Sequence, residues 1–121
     1  MNVVDSSAWI EYFIGGPKAS AVEPHIADPS TTIAPSLVLY EVYKKVKRDR
    51  SEEEALQAAA QIGRGRVIPL DDLLALAAAD LSLACGLALA DSVVLATARH
   101  CGVKVVTLDP DFRGLPDAVI L

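Results

Sequence analysis

Four acidic residues stand where a carboxylate can do chemistry: Asp5, Glu41, Asp91 and Asp109. Asp5 follows Val3-Val4 and precedes Ser6-Ser7, which reads as a short buried strand running into a helix. Asp109 directly follows a β-branched run, Asp91 opens an apolar helix, and Glu41 lies mid-helix in apolar surroundings. Carboxylates gathered in one cleft repel one another, by about 1 kcal/mol per pair at 4 Å in water and about 4 kcal/mol at an effective dielectric of 20. A fold keeps such a cluster when a cation offsets the repulsion. Hard oxygen donors with few histidines point to Mg²⁺ or Mn²⁺, not Zn²⁺. The chemistry that uses acid-held Mg²⁺ most directly is phosphodiester hydrolysis, with an activated water and a stabilised leaving oxygen. Each acid also has a plain reading. Asp5 and Asp91 suit helix N-caps, Glu41 suits an exposed pair with Lys45, and Asp109 suits a turn before Pro110.

One topology explains all four positions, and the chain's elements supply it. Val3-Val4 is the first strand. Ser6 to about Ile14 reads as a helix stopped by Gly15-Gly16-Pro17, and Lys18 to Ala27 as a second helix weakened by Pro24. Thr31–Ala34 is a brief strand closed by Pro35, after which Ser36 is expected to cap a helix from Leu37 to about Arg48. Ser51 and Glu54 form a capping-box signature for a helix to about Ile62. Arg66–Pro69 is a third strand. Asp71 or Asp72 caps the next helix, which runs through Cys85 and stops at Gly86. A buried helix from Asp91 to His100 precedes the clearest strand, Val103 to Leu108, then a turn over Asp109–Phe112 and a terminal strand at Ala118–Leu121. This alternation predicts an α/β fold, a three-layer α/β/α sandwich with a mostly parallel central sheet. Parallel strands bring Asp5 and Asp109 to one sheet edge, and the helix starting at Asp91 opens beside them.

Composition narrows the classes. The length, 121 residues, fits one domain over 1–121, and 52% hydrophobic residues describe an ordered chain. A net charge of −5 argues against a nucleic-acid binder that works by bulk charge. The charge is uneven, however. Lys44, Lys45, Lys47 and Arg48 form a basic run that either steers a phosphate backbone or is simply a solvated helix face. Cys85 and Cys101 match no zinc pattern and read as buried free thiols of a reducing cytosol. No apolar run is long enough to span a membrane, and no signal peptide opens the chain. His25 and His100 lack partners for metal or nucleophilic work. No phosphate loop or nucleophile elbow is present. Trp9, Tyr12 and Phe13 read as core or interface.

Val3-Val4-Asp5-Ser6-Ser7-Ala8, Glu41 after Pro35-Ser36, Leu89-Ala90-Asp91-Ser92, and Val106-Thr107-Leu108-Asp109-Pro110-Asp111-Phe112 occur in this order. Together they resemble the PIN-domain family, and within it the small VapC-type toxins of toxin–antitoxin systems. The resemblance spans the chain. It implies a cytoplasmic Mg²⁺- or Mn²⁺-dependent endoribonuclease acting on RNA, commonly a homodimer, held inactive by a cognate antitoxin. It further implies that Asp5, Glu41, Asp91 and Asp109 are catalytic and metal-holding, with Asp111 in reserve for the fourth place. Ser6, Ser92 and Thr107 would be hydroxyls that orient carboxylates or bind metal-bound water. A different class stays open: a PIN-like module that binds a partner protein, its acids being only structural.

Overall fold

Two fully buried valines, Val3 and Val4, form the heart of β1 (Asn2–Val4), the middle strand of the sheet. The computed structural model describes residues 1–121. Five strands, β1, β2 (Thr32–Pro35), β3 (Arg66–Ile68), β4 (Lys104–Thr107) and β5 (Ala118–Ile120), lie in the order β3-β2-β1-β4-β5. Every neighbouring pair is parallel, so the sheet is wholly rather than mostly parallel. Such a sheet needs both faces covered. Right-handed crossovers place α1 (Ser6–Phe13), α2 (Ala19–Ile26), α3 (Ser36–Asp49) and α4 (Glu52–Gly63) on one face. The chain reverses after β3, which sends α5 (Asp72–Cys85) and α6 (Leu89–Cys101) to the other face. The three-layer expectation is met.

Local chemistry explains most boundaries. Ser51 accepts a hydrogen bond from the Glu54 amide and Asp71 from the Leu74 amide, so each caps its helix. The second arm of the expected capping box is not made, because the Glu54 carboxylate pairs with Arg50 instead. Ser36 does not cap α3. Pro35 occupies that position, Ser36 is the first helical residue, and its hydroxyl accepts from the Leu70 amide across to the β3–α5 turn. α5 and α6 end on Gly86 and Gly102 in the left-handed conformation, at φ +69° and +66°.

The core joins the inner faces of β1, β2 and β4 to Ala8, Trp9, Val38, Val42, Leu95 and Phe112. Trp9 and Phe13 stack at 5.6 Å between centroids, as the reading of these aromatics as core predicts. α6 is buried from Asp91 through Ala98. α5 differs: Leu74 and Ala78 face α6, while Leu73, Leu76 and Leu83 stand 74%, 66% and 88% exposed. The helix is apolar nearly all round but has neighbours on one flank only. No single helix is long and apolar enough to cross a membrane. Both cysteines are free, but neither is buried as expected: Cys85, at the end of α5 before Gly86, is exposed and Cys101 is half-buried.

Candidate metal centre

β1 and β4 are adjacent, yet the chain leaves β1 toward β2 and leaves β4 toward β5. Between them lies the point where connections diverge, and an open α/β sheet forms its cleft there. Pairing of Val4 with Val106 puts the exits of both strands at the same height. Asp5 follows β1 directly and Asp109 follows β4 by two residues, so both reach the mouth of this cleft.

Asp5 is almost wholly buried and fully engaged. One carboxylate oxygen accepts from the Ser6 amide at 2.8 Å, which caps α1. The other accepts from the hydroxyls of Ser7 at 2.9 Å and Thr107 at 2.8 Å. Those hydroxyls in turn accept from backbone amides of the β4 exit, Ser7 from Leu108 and Thr107 from Asp109. The loop carrying Asp109 is thereby pinned to the carboxylate of Asp5. Asp109 also caps a single 3₁₀ turn by accepting from the Asp111 amide at 2.9 Å.

Asp91 has no such engagement. It lies in the first turn of α6, whose N-cap is Ala88, and its carboxylate accepts no hydrogen bond from the protein. The chain bends by 113° between α5 and α6, which turns that first turn toward the strand ends. Carboxylate oxygens of Asp5, Asp91 and Asp109 all lie within 4.8 Å of one another. Glu41 approaches from α3. Its Oε1 is buried without a hydrogen-bond partner. Lys45, the partner its spacing allowed, pairs with Asp49 at 2.8 Å instead.

The electrostatics follow from crowding. Burial, then the charges of Asp109, Asp5, Asp111 and Glu41, push the Asp91 carboxyl up to about 7. Burial also raises Asp5, against the pull of its three hydrogen bonds. Burial and the Asp5 charge raise Glu41, with the Ser6 hydroxyl opposing. Three converging carboxylates, one of them without any donor, and a fourth with an orphaned oxygen form an all-oxygen donor set. That set fits a hard divalent cation such as Mg²⁺ or Mn²⁺.

The expected residues therefore separate. Asp5, Asp91 and Asp109 converge, Glu41 flanks them, and Asp111 is exposed and acts on Asp91 only through its charge. The Thr107 hydroxyl donates to Asp5. Ser92 does not orient a carboxylate, since its hydroxyl donates to the Leu89 carbonyl within its own helix. The Ser6 amide donates to Asp5 and its hydroxyl acts on Glu41, while Ser7, which the sequence reading did not single out, ties two strand exits together. The signal for Ser7 was its place two residues after a strand-end acid. In the basic run, Lys45 and Arg48 both pair with Asp49, and Lys47 pairs with Glu52. Lys44 has no carboxylate partner and donates to the Tyr40 hydroxyl at 3.2 Å.

Comparison with known proteins places this geometry. The profile of the PIN domain family matches residues 3–118. A search of curated proteins found no match. Among solved structures, a toxin–antitoxin complex from Klebsiella pneumoniae is similar with a TM-score of 0.82 at 23% identity, over 98% of this chain and 96% of that one. The sarcin–ricin-loop-cleaving toxin VapC20 of Mycobacterium tuberculosis matches with a TM-score of 0.77 at 19% identity, over 93% and 92% of the two chains. DNA-bound VapBC from Salmonella typhimurium matches with a TM-score of 0.77 at 19% identity, over 100% and 98%. At these identities the likeness is one of fold.

Proposed function

The chain belongs to the PIN-domain family, and we propose that it is a Mg²⁺- or Mn²⁺-dependent endoribonuclease, the toxin of a toxin–antitoxin pair. The observation that carries this reading is the set of three carboxylates within 4.8 Å at the divergence point of the sheet. One of its members, Asp91, and the flanking Glu41 discriminate between the nuclease and a module whose acids are only structural. Asp5 and Asp109 do cap helical turns, and the structural reading accounts for both. Asp91 caps nothing and accepts no hydrogen bond, and Glu41 keeps an unpartnered buried oxygen. Carboxylate oxygens placed at such electrostatic cost and left without a protein donor favour a cation site.

Asp5, Asp91 and Asp109 would hold the cation, with Glu41 beside them. A bound Mg²⁺ or Mn²⁺ supplies Lewis acidity, which makes water a nucleophile near neutral pH and stabilises charge on a departing oxygen. The chain's own contribution is positional. Ser7 and Thr107 fix the rotamer of Asp5, the Asp111 amide fixes Asp109, and Glu41 offers its free oxygen as an acceptor for a water proton. The basic side chains of α3 lie beside this acidic centre, where they can meet an anionic backbone that the net charge of −5 would otherwise repel.

Two partners complete the reading. A cognate antitoxin would cover the centre, in keeping with the toxin–antitoxin complexes of like fold. A second copy would cover the α5 crest. Leu73, Leu76 and Leu83, with Leu89 at 72% exposure, form a ridge between two clefts of about 470 and 450 Å³. A surface carrying both ridge and groove is self-complementary, as a two-fold interface requires. Its exposed leucines would supply part of the roughly 800 Å² that one partner contributes to a standard interface. Free thiols suit a reducing cytoplasm.

The test is cleavage of labelled RNA by the purified chain. Activity should need Mg²⁺ or Mn²⁺, vanish with chelator, and fall at least about 100-fold in Asp91→Asn. Undiminished cleavage by that variant, or parental inactivity with both metals, would reject the assignment.

A further inference from the structure

Of the six aromatic side chains, only Tyr40 is more than a third exposed, at 57%. A tyrosine on a helix usually turns its ring to the core, as Tyr43 does in part on the same helix. Tyr40 instead lines an open cleft of about 290 Å³ beside the acidic centre. The cleft includes Ser6 and Glu41, so it is continuous with the carboxylates. It also includes Lys44, Lys45 and Arg48. Tyr40, Lys44 and Arg48 are four residues apart, so they form one row along α3 leading away from Glu41. Of these cations Lys44 alone lacks a carboxylate partner. Its ammonium group sits 5.4 Å from the centre of the Tyr40 ring and donates to the phenol oxygen, which holds the ring in place.

We propose that this cleft is a nucleotide subsite, in which Tyr40 stacks on one unpaired base and Lys44 contacts the phosphate next to it. The proposal rests on the nuclease reading for its ligand class, an RNA strand. The chemistry of the cleft selects that ligand. A fixed aromatic face takes any base without regard to sequence, and an uncompensated ammonium beside it takes a phosphate. A base paired in a duplex hides both faces in its stack, so the subsite selects single-stranded or looped RNA. Tyr40 is thus a positioning residue that seats the strand so that an adjacent phosphodiester lies over Asp5, Asp91 and Asp109.

The experiment measures anisotropy of a short fluorescein-labelled RNA of mixed sequence, single-stranded or annealed to its complement, in chelator with the Asp91→Asn protein. Adding Tyr40→Ala should weaken single-strand binding by about 5- to 100-fold, and Tyr40→Phe should recover most of the loss. Lys44→Gln should lower the salt slope of binding by about one. In the metal-loaded enzyme with Asp91 restored, Tyr40→Ala should raise KM more than it lowers kcat. Equal affinity of the Ala and Tyr proteins, each of native circular dichroism, overturns the subsite even if RNA is cleaved. So does a duplex that binds as tightly as the single strand. Tyr40-dependent binding without any metal-dependent cleavage would keep the subsite and reject the nuclease reading. Absence of RNA binding by the parent would reject both.

Discussion

Replacing Asp91 by asparagine should stabilise the metal-free protein at neutral pH, although it removes a buried residue of the proposed centre. The carboxylate makes no hydrogen bond to the protein, so the isosteric amide forfeits none. What it removes is a charge among like charges. The Asp91 carboxyl is raised from 3.8 to about 7, and each unit corresponds to about 1.4 kcal/mol. An upper bound of about 4 kcal/mol follows, but the cleft is open to solvent and salt, which screen its charges to about 1–2 kcal/mol. The favourable placement of a negative charge in the first turn of α6 offsets about 0.5 kcal/mol of this. For a chain of this size the net gain of about 0.5–1.5 kcal/mol is a rise of about 2–6 °C in Tm. The sign fixes the pH window. Below pH 3.8 the aspartic acid is protonated in both states and contributes nothing. As pH rises from 3.8 toward 7 the unfolded state gives up its proton while the folded state keeps it, so stability falls. Above about 7 the penalty is complete. Thermal melts of parent and Asp91→Asn in chelator should therefore diverge between pH 4 and pH 7 and run parallel above it. Saturating Mn²⁺ should reverse the order, since a ligand at about 100 times its Kd adds about 2.7 kcal/mol to whichever form binds it. A variant less stable than the parent at pH 8 in chelator, or a difference independent of pH, would refute the electrostatic account of the cluster.

Thr107→Val keeps shape but deprives the Asp109 amide of its acceptor and Asp5 of a donor, so unfolding in urea should show a loss of about 1–3 kcal/mol. The same variant should bind Mn²⁺ about 10-fold more weakly by calorimetry, with Thr107→Ser recovering part of the loss; unchanged affinity would mean that the hydroxyl does not hold Asp5 in place. Leu76→Glu and Leu83→Glu change exposed side chains and should leave circular dichroism unaltered. They should convert the parent from a dimer to a 12.8 kDa monomer in light scattering at micromolar concentration. A parent that is monomeric throughout would leave the α5 crest without a second copy.

The sheet was legible because its strands are written in β-branched runs, and two of the acids, Asp5 and Asp109, because each follows the end of such a run. Val3-Val4 before Asp5 and the valines before Thr107 place two carboxylates without any knowledge of the third dimension. The choice of Asp109 over Asp111 followed from its distance to the strand end, and the geometry brings Asp109 to the other acids while Asp111 stays exposed. Pairwise spacing was less informative. Four-residue separations run both ways along a helix, so Lys45 had Glu41 on one side and Asp49 on the other. The buried half-turn around Glu41 left the ammonium only the exposed partner. Ser36 failed as a cap because proline can end a strand and enter a helix without a turn between them. The roles of Ser7 and Thr107 depend on β1 lying beside β4, a pairing that joins Asn2 to Lys104, and no local pattern encodes a contact at that range. The leucines of α5 show the opposite limit: period and composition say that a helix is apolar, but not which flank will find a neighbour.

That same pairing of β1 with β4 has a temporal meaning. The first strand made is the central one, yet one of its two edges stays open until the fourth strand has been added about a hundred residues later. Loop closure over such a span is slow compared with helix formation, so the α1–α4 layer can assemble on β1 and β2 while the cleft is still absent. Asp5 waits through nearly the whole of synthesis for Thr107 and Asp109. A chain interrupted before β4 would hold every acid of the set except Asp109 and lack the strand that brings them together. Competence is thus the last property the polypeptide acquires, which gives any partner that recognises the early layer a head start over the chemistry.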